Sequence, residues 1–263
     1  MKRFIVILLV MLWACPAIAQ DGICKFVYAY GEFGSLLGAW DGEAWLDRFE
    51  AAALVPGGEE YRVYQENELV LRSKAGAPND LGFALQYPLD PAGPFEPAIG
   101  ASCAWDPVPL PQKPANDNGD NYKDITARLL DEAGLPGADV RIRQVVHADI
   151  DGDGVAEVLV NALRLKNDVL DLRADAGDYA MVYVLRKVGR RLIAAPLKVS
   201  VHPKDDETVL SSSYKILAVL DLSGDGMLEV VLSTSEYEFE TVEVFQQIGG
   251  TMKPVLNTRL DPF

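Results

Sequence analysis

Two stretches carry most of the chemistry this chain could do. DIDGDGVAEVLV runs from Asp149 to Val160, and DLSGDGMLEVVL from Asp221 to Leu232. Numbered from its first aspartate, the first loop sets Asp149, Asp151, Asp153 and Glu157 at positions one, three, five and nine, with Gly152 and Gly154 between them. Alternate carboxylates on a tightly turned backbone can converge on one point. Hard oxygen donors in that number suit Ca²⁺, which takes roughly six to eight oxygens in flexible geometry. The Val155 carbonyl and water would complete the shell. Without a cation the clustered carboxylates repel one another, a cost that binding relieves. The second loop offers Asp221, Ser223, Asp225 and Glu229, with the Met227 carbonyl as the matching donor. Ser223 puts a neutral hydroxyl where the first loop has a charge. The same residues can also form Asx-type turns without metal.

An EF-hand is excluded on two counts. Its closing glutamate belongs at position twelve, where this chain has Val160 and Leu232. Its flanks should be helical, yet VLV and VVL are β-prone. The loops instead sit inside a longer repeat. RQVVHA leads into the first and YKILAVL into the second. EVLVNALRL matches EVVLSTSEYE, and VYVLRKVGRRLIAAPL matches VEVFQQIGGTMKPVL, with Gly189 and Gly249 at the same place in each turn. The acidic loops lie 72 residues apart and the turn glycines 60, so the first copy carries the longer connection after its loop. Each copy reads strand, acidic loop, strand, strand, glycine turn, strand. Several short strands per repeat point to blades or stacked sheets.

The phrase D-x-D-G-D-G-x-x-E followed by a strand resembles the FG-GAP or VCBS-type repeats, the calcium loops of integrin α-chain β-propellers. The resemblance covers roughly residues 138–260. It implies Ca²⁺ as cofactor, held by Asp149, Asp151, Asp153, the Val155 carbonyl and Glu157, and again by Asp221, Ser223, Asp225, the Met227 carbonyl and Glu229. Two copies are evident, fewer than the four or so blades of a closed propeller. The fold expected is therefore all-β: tandem four-stranded antiparallel sheets of β-propeller-blade type with one short helix.

That helix is read in NYKDITARLLDEAG. Ile125, Leu129, Leu130 and Ala133 recur at helical spacing, Asp120 or Asn121 can cap the start, and Gly134 with Pro136 ends it. Residues 107–121, PVPLPQKPANDNGDN, read as a proline-rich linker and domain boundary. Before it, residues 20–106 form an N-terminal β region. Asp41-Gly42 predicts one hairpin turn and Glu66-Asn67 another, whereas QYPLDPAGPFEP is too rich in Pro and Gly for a central strand. Residues 122–263 hold the helix and both repeats.

MKRFIVILLVMLWACPAIAQ has the basic start, short apolar run and small-x-small site (Ala17, Ala19) of a secretory signal, giving a 1–19 leader and a periplasmic or secreted protein. A lipid on Cys15 is the less favoured alternative. No segment is long enough for a membrane span. Cys24 and Cys103 then remain as an even pair, which suggests a disulfide in an oxidising compartment. The formal net charge of −15 over 263 residues argues against nucleic acid and favours cations. A hydrophobic fraction of 49% is ample for a packed core.

Enzyme signatures are weak. His147 ends a strand beside Asp149, His202 stands alone, and Ser212 to Lys215 match S-x-x-K by letter only. Asp41 and Glu43 between Trp40 and Trp45 could serve a glycosidase, but the turn makes better use of Asp41. The reading is a non-enzymatic binding or structural module with an unidentified protein or polysaccharide ligand. The alternative is an exported polysaccharide hydrolase using the repeats as scaffold.

Overall fold

The computed structural model describes residues 22–82, 84–108, 119–205, 209–237 and 239–260. The leader, its cleavage site, Cys15 and most of the proline-rich linker lie outside the described residues.

The N-terminal region contains β1 (Cys24–Tyr30), β2 (Phe33–Trp40), β3 (Trp45–Asp47), a one-turn helix α1 (Arg48–Ala51), β4 (Glu60–Gln65), β5 (Glu68–Ala75), β6 (Asn79–Asp80), β7 (Leu85–Asp90) and β8 (Ala98–Cys103). The strands join in the order β3-β2-β1-β8-β4-β5-β7-β6, and β2 also pairs with β7. That extra pairing closes β2, β1, β8, β4, β5 and β7 into a small barrel. Side chains alternate along β1: Val27 and Ala29 join the barrel interior, Phe26 and Tyr28 the exterior. Gly34 and Gly100 face Val27 inside it; a Cβ at Gly100 would lie 2.9 Å from the Val27 methyl.

The hairpin turns form where expected. Asp41 accepts the Glu43 and Ala44 N–H groups, and Glu66 takes positive φ between β4 and β5. Two expectations are corrected. β7 carries Pro88 yet joins the barrel, because its ladders are short. It pairs with β2 only over Gln86–Pro88 and passes to β5 at Leu89, so the missing N–H falls at the hand-over. α1 is a second helix, started by a capping box in which Asp47 and Glu50 each bond the other's backbone.

After the linker come α2 (Lys123–Glu132), β9 (Ile142–Ala148), β10 (Glu157–Arg164), β11 (Asp178–Val188) and β12 (Arg191–His202), then β13 (Ser213–Leu220), β14 (Glu229–Ser235), β15 (Glu240–Ile248) and β16 (Thr251–Leu260). A 3-10 turn, Asp120–Tyr122, leads into α2, so the residue at its cap position is Tyr122, which makes no side-chain cap bond, rather than Asp120 or Asn121. Gly134 does end it, at positive φ. The strands build two four-stranded antiparallel sheets, β12-β11-β10-β9 and β13-β14-β15-β16. The fold is all-β. Gly189 and Gly249 turn the last hairpin of each sheet at the same φ of 61°.

The elements stack. Leu129, Leu130 and Leu135 cover Val160, Met181 and Tyr183 on one face of the first sheet. Its other face, with Leu159, Val182 and Val184, packs on Ile216, Val230 and Leu232 of the second sheet. The far face of the second sheet, with Leu217, Val231 and Val244, packs on Phe26, Leu37 and Ile99 of the barrel. Strands β10, β11, β13 and β14 are thus buried on both faces, which is why they read as near-continuous apolar runs.

The free edge of β13 is closed by side chains. Gln144 Nε2 donates to the Ile216 carbonyl at 3.1 Å and its Oε1 accepts the Ile216 N–H at 2.9 Å. Asn161 Nδ2 donates to the Tyr214 carbonyl at 2.7 Å. Beyond a bulge at Leu217, the backbone of Glu66 bonds Leu217 and Val219. The barrel's β4–β5 turn and the first sheet together stand in for a missing neighbour strand.

Candidate metal centre

The first acidic loop joins β9 to β10, and the second joins β13 to β14. Gly152 and Gly154 take φ of 72° and 87°, and Gly224 and Gly226 take 75° and 85°. These left-handed positions turn the chain tightly enough for alternate side chains to point inward.

In the first loop, Asp149 Oδ2 accepts the Gly154 N–H at 2.9 Å, Asp151 Oδ1 that of Asp153 at 3.3 Å, and Asp153 Oδ1 that of Val155 at 2.7 Å. Each aspartate thus places one oxygen on the loop backbone. Oxygens of Asp149, Asp151 and Asp153 all lie within 4.8 Å of one another. Asp149 is only 9% exposed, and its Oδ1 is buried with no hydrogen-bond partner. Glu157 stands outside this group of three. Its Oε2 accepts the Ile150 N–H at 2.9 Å, and burial, aided by the charges of Asp151 and Asp153, raises its pKa. The Val155 side chain is exposed.

The second loop distributes its donors differently. Asp221 uses both oxygens, accepting Gly224 N–H at 2.6 Å and Gly226 N–H at 3.1 Å. Asp225 accepts the Met227 N–H at 2.8 Å. Glu229 is fully buried and accepts from the backbones of Leu222 (2.7 Å) and Ser223 (3.2 Å) and from the Ser223 hydroxyl (3.0 Å). Burial pushes its pKa up to about 8, opposed by those donors. Among the described residues, no comparable group of three forms from Asp221, Asp225 and Glu229.

The two loops touch. The Leu228 N–H donates to the Ile150 carbonyl at 2.9 Å. From the other side, a strap after β8 holds the second loop. Trp105 Nε1 donates to the Asp221 carbonyl at 2.7 Å, the Asp221 N–H donates to the Pro107 carbonyl at 2.8 Å, and the Trp105 ring lies against Gly224. Trp105 and Pro107 carry no motif that would have marked them in the sequence.

The remaining candidates do not converge. His147 lies in β9 with Nε2 3.4 Å from the Tyr122 hydroxyl, and His202 Nε2 lies 3.0 Å from Ser200 Oγ. Ser212 contacts Glu236 while Lys215 pairs with Glu96, so the S-x-x-K letters make no dyad. The Trp40 and Trp45 rings meet at a tilt of 55° with centroids 5.2 Å apart, and Trp45 Nε1 donates to Gln246 in the second sheet. The Asp41 carboxyl, serving the turn, is held below its usual pKa by those hydrogen bonds.

Cys24 and Cys103 face each other across β1 and β8 and form a disulfide. Such a bond indicates a non-cytoplasmic setting. No helix among the described residues is long and apolar enough to cross a membrane. Compared with protein-family models, characterised proteins and solved structures, the chain matches none.

Proposed function

We propose that this is an exported, calcium-binding β-repeat protein of the FG-GAP or VCBS type that acts as a binding or structural module rather than an enzyme. In this reading Asp149, Asp151, Asp153, the Val155 carbonyl and Glu157 hold the tighter Ca²⁺ ion. Asp221, Ser223, Asp225, the Met227 carbonyl and Glu229 hold a weaker one. The observation that carries it is Asp149 Oδ1, a buried carboxylate oxygen without a donor beside two further carboxylates. Leaving such an oxygen unpaired is costly, and a hard cation answers it. The second loop is the weaker site because its own N–H groups and Ser223 already occupy much of its oxygen capacity.

Bound Ca²⁺ would supply the charge that cancels carboxylate repulsion. The chain's own residues do the rest. The loop fixes the spacing of β9 and β10, and the Leu228–Ile150 bond passes that order to the second sheet. The result is a stiffened scaffold for presenting a face to a protein or polysaccharide. Calorimetric titration of the mature protein tests it. The expected result is saturable Ca²⁺ binding with Kd on the order of 10⁻⁴–10⁻³ M, and weak competition by Mg²⁺. No heat at millimolar Ca²⁺, or equal preference for Mg²⁺, overturns it.

A further inference from the structure

We propose that the Cys24–Cys103 disulfide is a redox-sensitive latch that holds the paired acidic loops in register. The connection is continuous. Cys103 ends β8 and opens the strap. Arg62 of β4 donates to the carbonyls of both Cys103, at 2.7 Å, and Trp105, pinning the strap's first turn to the barrel. Trp105 and Pro107 then bond the Asp221 carbonyl and N–H from both sides. Leu228, at the other end of the second loop, bonds Ile150 of the first. The disulfide ties β1 to β8 where the strap departs, so it sets where Trp105 can reach.

The bond is placed for exchange chemistry. Cys24 is fully buried, but Cys103 lines an open cleft of about 540 Å³ on the barrel. Arg62, Arg72 and Lys74 share that cleft with Glu60 and Asp90, leaving it net cationic. A cationic setting draws an attacking thiolate to Cys103, the reachable sulfur of the pair. Opening the latch is thiol–disulfide exchange. An external dithiol attacks Cys103 as its thiolate, the Cys24 sulfur leaves, and the reagent's second thiol resolves the mixed disulfide. Two electrons and two protons pass from the reagent to the two cysteines, and the reagent ends as a disulfide. Closing is the reverse, with a disulfide as oxidant.

The inference takes the paired loops as the functional centre proposed above, but its test needs no metal. Backbone hydrogen exchange is measured on the mature protein in chelator, oxidised and after dithiothreitol. We expect exchange to accelerate roughly tenfold at residues 221–228, less at 149–157, and little in β11, which the latch does not touch. Equal acceleration across β11 and both loops would mean the disulfide merely stabilises the whole chain, and no acceleration would mean the strap holds without it; either overturns the proposal. Outright unfolding of the reduced chain counts as that equal loss and overturns the proposal too; with the disulfide intact, Arg62→Met should loosen 221–228 selectively, and unchanged protection there refutes the coupling through the strap. Because the readout is taken without Ca²⁺, failure here leaves the calcium reading standing, and failed calorimetry leaves the latch standing.

Discussion

Replacing Asp149 by asparagine separates the two jobs of the first loop. One carboxylate oxygen accepts the Gly154 N–H at 2.9 Å and keeps the turn; the other, Oδ1, is buried without a donor. An asparagine amide oxygen can keep the Gly154 bond, while its NH₂ can donate to the Asp151 and Asp153 carboxylates close by. In chelator, then, Asp149→Asn should match the parent within about 1 kcal/mol, or exceed it, because one of three clustered charges is gone. With Ca²⁺ the two should part. Calcium about 100-fold above Kd stabilises a folded-state binder by roughly 2.7 kcal/mol. For a chain of this size that is a rise in Tm of roughly 5–10 °C. The variant loses the charged ligand whose oxygen is buried without a donor and should rise by less than about 2 °C. Thermal melts with chelator and with Ca²⁺ set about 100-fold above the Kd found by calorimetry measure both arms. An equal calcium rise in parent and variant would refute the reasoning, as would a parent that does not rise.

Three further outcomes are expected. Asp151→Ala should reduce the calcium-induced rise in Tm more than Ser223→Ala, since the first removes a charged oxygen from the tighter loop and the second a hydroxyl already bonded to Glu229. Gln144→Ala strips both partners from Ile216 at the closed edge of β13 and should cost about 2–4 kcal/mol in chemical denaturation, with the calcium response retained. Burial pushes the Tyr183 and Tyr214 phenols up to about 12, whereas unfolded tyrosines ionise near 10. Raised folded values favour the neutral form, so this stability is whole below about pH 10 and is lost as pH rises towards 12. Ultraviolet difference titration beside melts across that range should show the tyrosines ionising only as the protein unfolds.

Local features were the legible ones. The two acidic phrases, the turn glycines at 189 and 249 and the apolar spacing of α2 act over a few residues, and the chain places them as read. The Asp47–Glu50 capping box was equally local and could have announced α1. Closure of the barrel was not legible: it depends on β1 meeting β8 across 79 residues and on β2 meeting β7, and periodicity carries no information about partners so distant. The contrast between the loops was hidden for a related reason. Their spacing is the same, yet Asp221 gives both oxygens to loop N–H groups and Asp149 only one. Trp105 lies on Gly224 of the second loop, a contact from the strap after β8 that nothing within the loop encodes.

The most direct test is a crystal structure of the mature protein grown in millimolar Ca²⁺. The account predicts an ion in the first loop, roughly 2.3–2.6 Å from oxygens of Asp149, Asp151, Asp153 and Glu157 and from the Val155 carbonyl, with Asp149 Oδ1 as one of its ligands. A water, or nothing, facing that oxygen at full calcium occupancy of the medium would contradict it.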